Sequence, residues 1–191
     1  MTMSRVSCED VLAPLVDKAR SGDRAAVEGL VGEIRPRVLR YVVAKLLDPH
    51  AAEDVTQEVM MTALSSLPRY VDQGRPFTAW VFGIAANKIS ESRRAAGRRR
   101  ERVVDAIPEQ AGDRAYEPEH AAGRLDAARQ VAQMLASLPA PQGEILRLRI
   151  AAGLSADETA AVLGMTPGAV RVAQHRALAK LRAEHAVGAL S

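Results

Sequence analysis

Two stretches of this 191-residue chain carry residue types suited to contact with nucleic acid. The first, RYVDQGRPFTAWVFGIAANKISESRRAAGRRRER, gathers Tyr70, Phe77, Trp80 and Phe82 in a chain otherwise poor in aromatic residues. It ends in Arg93, Arg94, Arg98, Arg99, Arg100 and Arg102. Rings stack on unpaired bases and guanidiniums track phosphates, so the combination suits a single-strand binder. Phe77 and Trp80 fit core anchors better than stacking platforms, however, and an arginine run also fits a solvated helix end. The second stretch is LSADETAAVLGMTPGAVRVAQHRALAKLR. Here Arg171, His175, Arg176 and Arg182 share a face opposite Val170, Ala173, Ala177 and Leu181, as on a helix that presents groups to the major groove. An arginine bidentate to guanine discriminates by about 1–3 kcal/mol.

The elements that must position these residues can be read around them. Ser155 with Glu158 three positions on forms a capping box, and Thr166 followed by Pro167 marks a second helix start. Ala160 is small where the two helices cross and Gly164 supplies the turn, so the pair is a helix-turn-helix. Upstream, a short helix fits Val11 to Ala19, ended by Ser21 and Gly22. A longer helical region follows with Leu30, Val31, Ile34, Val38, Leu39 and Val42 at helical spacing; Pro36 predicts a bend or break, and Asp48 and Pro49 close the segment. In AAEDVTQEVMMTALSSL, residues Ala52, Val55, Val59, Ala63 and Leu67 line one face, while Asp54, Gln57, Glu58 and Met61 line another that reads by default as solvated. Gly74 and Pro76 place a loop at Val71 to Pro76, and a helix is predicted from about Phe77 to Arg94, anchored by Trp80, Val81, Ile84 and Ile89.

After Arg102 the pattern changes. Val103 to Glu119 is acidic and aperiodic and reads as a flexible linker. Helical spacing resumes at Arg124 through Leu125, Ala128, Val131, Met134, Leu135 and Leu138. Pro139 and Pro141 punctuate, and EILRLRIAAG is another short helix. The expected fold is all-α, with two helical domains at 1–102 and 124–191 joined by a linker at 103–123.

Composition narrows the function classes. Net charge is only +3 but unevenly distributed, which bears on partners more than the sum does. The single cysteine, Cys8, excludes an internal disulfide and a cysteine-cluster metal site. No apolar run approaches the roughly 18 residues of a membrane span, and no leader pattern opens the chain, so membrane insertion is not expected and a cytoplasmic location is. The histidines His50, His120, His175 and His185 are scattered, and no phosphate loop, nucleophile motif or metal-ligand spacing recurs. Neither an enzyme nor a cofactor is expected.

In this order the segments resemble an extracytoplasmic-function (group 4) sigma factor of bacterial RNA polymerase, most of all the sigma-D-like branch of actinobacteria. EDVTQEV resembles the family's polymerase-binding helix and RPFTAWVFGIAANKISESRR its melting and minus-ten region. LPAPQGEILRLRIAAGLSADETAAVLGMTPGAVRVAQHRALAKLR resembles its minus-thirty-five-binding domain.

The resemblance implies sigma region 2-like and region 4-like domains, and a role for each block. Asp54, Gln57, Glu58 and Met61 would contact the clamp helices of the largest polymerase subunit, and the second domain would meet the flap region of the second-largest. The loop from Val71 to Pro76, with Asn87, would hold a base flipped from the minus-ten element, while Lys88, Arg93 and Arg94 follow the backbone. The linker would thread the polymerase channel. Arg171, Val172, His175 and Arg176 would face the minus-thirty-five element, with Arg147, Arg149, Lys180 and Arg182 on phosphates. The partners implied are core polymerase, duplex and single-stranded promoter DNA, and the anti-sigma factor that the family often uses; the location implied is cytoplasmic, at the nucleoid. The chain departs from the family at Val71, often aromatic, at Ala169 and Val172, where small hydroxyl residues are usual, and at Gly143, where a basic residue often stands. A dimeric helix-turn-helix regulator remains the alternative, but it leaves the aromatic and arginine-rich middle unexplained.

Overall fold

Short polar caps and prolines divide the chain into helices, and the computed structural model describes them for residues 8–104 and 130–188. No strand occurs among the described residues. The first four helices are α1 (Cys8–Arg20), α2 (Arg24–Leu46), α3 (Pro49–Ser66) and α4 (Phe77–Val104). Asp23 caps α2 by accepting from the Ala26 N–H, and Asp48 caps α3 by accepting from the N–H groups of His50 and Ala51. Asp48 and Pro49, expected to close one segment, therefore also open the next. Pro36 does not break α2, which runs through it as one helix. The ring lies on the exposed side, where water can serve the carbonyl that loses its N–H partner.

Leu30, Ile34, Val38, Val55, Val59, Leu67, Val81, Phe82 and Ile89 form the core of this bundle. Phe77 is buried there too, as an anchor, and Trp80 is only partly so. Helix α4 extends past the expected end at Arg94 and is still helical at Val104, two residues into the expected linker. The rest of that linker and residues 124–129 lie outside the described residues.

The second half consists of α5 (130–136), α6 (Ala140–Leu146) continued by a π-helical turn (Arg147–Ala151), α7 (Ala156–Leu163) and α8 (Pro167–Gly188). Pro139 sits at the N-cap of α6 and Pro141 falls within its first turn, so the prolines start this helix. Leu135, Leu138, Leu146 and Ala177 form one small core, and Ile145, Ala156, Ala160 and Val170 another.

The two halves are joined by more than a linker. Leu148, Ala152 and Leu154 belong to the core of the first bundle, with Val162 and Leu163 packed against it. Around this apolar contact runs a polar belt. Glu144 accepts from the Tyr41 hydroxyl at 2.5 Å and from Lys45 Nζ at 2.5 Å, with Arg147 Nη1 at 3.6 Å. Arg37 lies 3.6 Å from the buried Glu158, Arg40 donates to the Ala151 carbonyl and Arg75 to the Ala161 carbonyl.

Burial first, and Glu144 second, push the Tyr41 hydroxyl far above its ordinary value. Above about pH 10 the unfolded chain releases the phenolic proton while the folded chain keeps it, so stability falls as pH rises. Urea midpoints taken on either side of that pH will show a loss of up to about 1.4 kcal/mol per unit, and Tyr41→Phe will flatten it.

Candidate nucleic-acid interface

On α3, Asp54, Gln57, Glu58 and Met61 follow i, i+3, i+4, i+7 spacing and all face solvent, with Met61 62% exposed. Met61 is thus an open apolar side chain on the same face as the carboxylates of Asp54 and Glu58. Glu58 reaches across to α4, where its Oε2 lies 3.3 Å from Lys88 Nζ. Lys88 also donates to Glu91 at 3.1 Å. Hydrogen bonds to Glu91 and then Glu58 raise the Lys88 ammonium above its usual range, so it stays a cation.

The loop before α4 turns at Gly74, whose φ is 73° and whose N–H donates to Asp72 Oδ1 at 2.8 Å. Beside it Tyr70, Phe77 and Trp80 meet pairwise with ring centroids 5.0–5.3 Å apart. Their outer side opens on a cleft of about 310 Å³ lined by Arg69, Tyr70, Val71, Gln73, Arg75, Ala79 and Trp80. Here an aromatic wall faces cationic side chains, the pairing that unstacked bases on a phosphate backbone require. Asn87 does not line the cleft; it is exposed seven residues beyond Trp80, two turns along the same face of α4. Arg93 donates to the Lys45 carbonyl at 2.6 Å, and Arg94 is exposed.

The second cluster is built by the caps. Ser155 and Glu158 complete the capping box of α7, Gly164 takes the left-handed turn at φ 66°, and Thr166 Oγ1 accepts from the Ala169 N–H at the start of α8. Val170 and Ala177 are buried, which leaves Arg171, Val172, His175 and Arg176 exposed. Arg171 lies 3.6 Å from Asp157, an exposed pair that costs little to break.

Residues 30–99 match the family described as Sigma-70 region 2, and residues 128–181 match Sigma-70, region 4. Over 91% of this chain, 46% of residues are identical to the ECF RNA polymerase sigma factor SigD of Mycobacterium tuberculosis (strain ATCC 25618 / H37Rv), of which 83% is covered. The chain belongs to the ECF sigma factors. It is 45% identical to ShbA of Streptomyces griseus over 91% of its own length and 94% of that protein. Among solved structures it is similar to CnrH in complex with the cytosolic domain of CnrY, with a TM-score of 0.66 and 27% identity over 91% of this chain and 96% of that one. As an ECF sigma factor it is a non-enzymatic, DNA-binding initiation factor that gives RNA polymerase its promoter specificity. No described helix is long and apolar enough to cross a membrane.

Not every cation expected on DNA in this sigma factor faces outward. Lys180 and Arg182 are exposed on α8, though Lys180 donates to the Ser137 carbonyl at 2.9 Å. Arg147 is half-buried beside Glu144, and Arg149 is turned inward, its Nε donating to Gln174 Oε1 at 2.9 Å and its Nη1 to the Leu154 carbonyl. The polar belt between the halves was not anticipated from the sequence. Its signal was available: Arg37, Tyr41 and Lys45 recur every four residues on α2, a polar row next to the apolar one.

Proposed function

We propose that this sigma factor divides its work among three surfaces. The α3 face of Asp54, Gln57, Glu58 and Met61 docks on the clamp helices of core polymerase, and the second half, at 124–191, on the flap. The cleft beside the Val71 to Pro76 loop receives a base flipped from the minus-ten element, with Asn87, Lys88 and Arg94 along the strand beyond it. On α8, Arg171, Val172, His175 and Arg176 read the minus-thirty-five element, while Lys180 and Arg182 meet phosphates.

The cleft is the observation that carries this reading. Unstacking a base costs a few kcal/mol, and stacking on an aromatic wall returns about 1–3 kcal/mol per base, so a cleft walled by Tyr70 and Trp80 offsets much of the cost of opening the duplex. Val71, 66% exposed at its rim, leaves the stacking to those two rings. Arg93, tied to the Lys45 carbonyl, supports the strand path through its charge.

An anti-sigma factor is proposed as a further partner: the sigma factor RpoE of Bartonella quintana, similar in fold, was solved with the anti-sigma factor NepR, and the similar CnrH with the cytosolic domain of CnrY. Residues 103–123 are proposed to thread the polymerase channel, and the working location is the nucleoid. In vitro run-off transcription with core polymerase and a pool of genomic fragments tests the whole. Start sites should share two upstream sequence elements. A core that initiates no differently with and without the chain would refute the assignment.

A further inference from the structure

Helix α6 ends in a π-helical turn, where the Ala152 N–H donates to the Arg147 carbonyl five residues back at 3.0 Å and the Leu154 N–H donates to the Leu148 carbonyl at 3.0 Å. The wider turn takes the side chains of this segment out of register with α6, an irregularity that in helices commonly accompanies function. Arg149 lies at its centre. Its Nε donates to Gln174 of α8 and its Nη1 to the Leu154 carbonyl in the turn before α7, so a single guanidinium ties the π-helical turn to both that turn and α8.

Gln174, half-buried, lies three residues after Arg171 and directly before His175, at the edge of α8 where the exposed reading face meets the buried one. The apolar contacts that hold this part of α8 come from Val170 and Ala173 against Ile145, Ala156 and Ala160. These contacts, with Leu163 and Met165 packed beside them, set the distance between the helices, while dispersion itself carries no direction. A planar guanidinium bonded to two fixed acceptors supplies the missing direction.

We propose that Arg149 is a positioning residue for promoter reading, which sets the rotation of α8 from inside the domain through Gln174 and does not bind phosphate. The proposal rests on the reading of α8 as the minus-thirty-five reader. The two possibilities for Arg149 differ in an observable that structure alone would not move. A phosphate contact releases counterions, so its loss lowers the slope of log affinity against log salt by about 0.9, whereas loss of a positioning group lowers discrimination and leaves that slope alone.

The test uses holoenzyme assembled from core polymerase and the full chain. The probes are an upstream duplex recovered from the run-off experiment and the same duplex with its outer element scrambled. Arg149→Lys, which keeps the charge but cannot span both acceptors, and the uncharged change Gln174→Ala should each lower the ratio of affinities about tenfold. Core binding and the salt slope should stay at wild-type values, and the double variant should be no worse than either single one. Arg149→Lys indistinguishable from wild type, or Arg149→Gln with a shallower salt slope and an unchanged ratio, would overturn the proposal while α8 kept its role. A wild-type holoenzyme that bound both duplexes alike would overturn the role of α8 and the proposal with it.

Discussion

A chain carrying Asp54→Lys and Glu58→Lys will fail to co-purify with core polymerase while keeping its fold. Both carboxylates are exposed on α3, and among the described residues their one tertiary ion pair is the 3.3 Å contact of Glu58 with Lys88, itself well exposed on the Glu58 side. Exposed substitutions of this kind change stability by about 0.5 kcal/mol or less, and a surface pair contributes about 0–1 kcal/mol. At an interface the same reversal turns attraction into repulsion, which costs several kcal/mol, on the order of a hundredfold in affinity or more. Circular dichroism and the thermal midpoint report the fold, and pull-down on immobilised core reports the loss. Full retention on core would remove α3 from the interface.

Glu144→Ala will produce a loss of stability that is large for a single polar side chain. The carboxylate is 18% exposed, and its removal leaves the Tyr41 hydroxyl, Lys45 and Arg147 with no anion between them. Breaking a buried pair from one side costs about 3–5 kcal/mol, because the partner charges stay behind. Partial exposure lets water repair some of this, which places the expectation near 3 kcal/mol. At about 2–4 °C per kcal/mol for a chain of this size, the midpoint should fall by roughly 6–12 °C. Glu144→Gln, which can still accept from Tyr41, should lose less. An unchanged midpoint for Glu144→Ala would show that the belt adds nothing to the packing of Leu148, Ala152 and Leu154.

What could be read from the sequence was local. The apolar row of α3 and the capping box at Ser155 depend on spacings of three and four residues, and they appear as expected. Helix α4 outran its expected end because the apolar stripe stops near Arg94 while Ala95, Ala96 and the arginines, all strong helix formers, carry the backbone on. Exposure of the α3 face is a fact of packing, but nothing in its periodicity separates a docking face from a wet one, and only the resemblance named its partner. Arg149 shows the other limit: a cation near the end of a helix reads as a phosphate contact until its acceptors, Leu154 and Gln174, are placed in space. The belt shows both limits at once: the row Arg37, Tyr41 and Lys45 on α2 could be read, but its partner could not, since Tyr41 and Glu144 stand 103 residues apart and Lys45 and Glu144 stand 99.

The shared core has a consequence measured along DNA. Promoter elements named for positions minus ten and minus thirty-five are separated by about 25 base pairs, roughly 85 Å at 3.4 Å per step. Here the guanidinium of Arg75, which lines the cleft proposed for the minus-ten base, donates to the Ala161 carbonyl of α7 in the helix-turn-helix itself. With the two elements assigned as proposed, one molecule in this arrangement is too short to grip both, and engagement of a whole promoter would select a parted form, with the free energy that closes the belt subtracted from the affinity for it. By reciprocity, any ligand that favours the closed form weakens promoter engagement by the same factor that promoter DNA weakens that ligand.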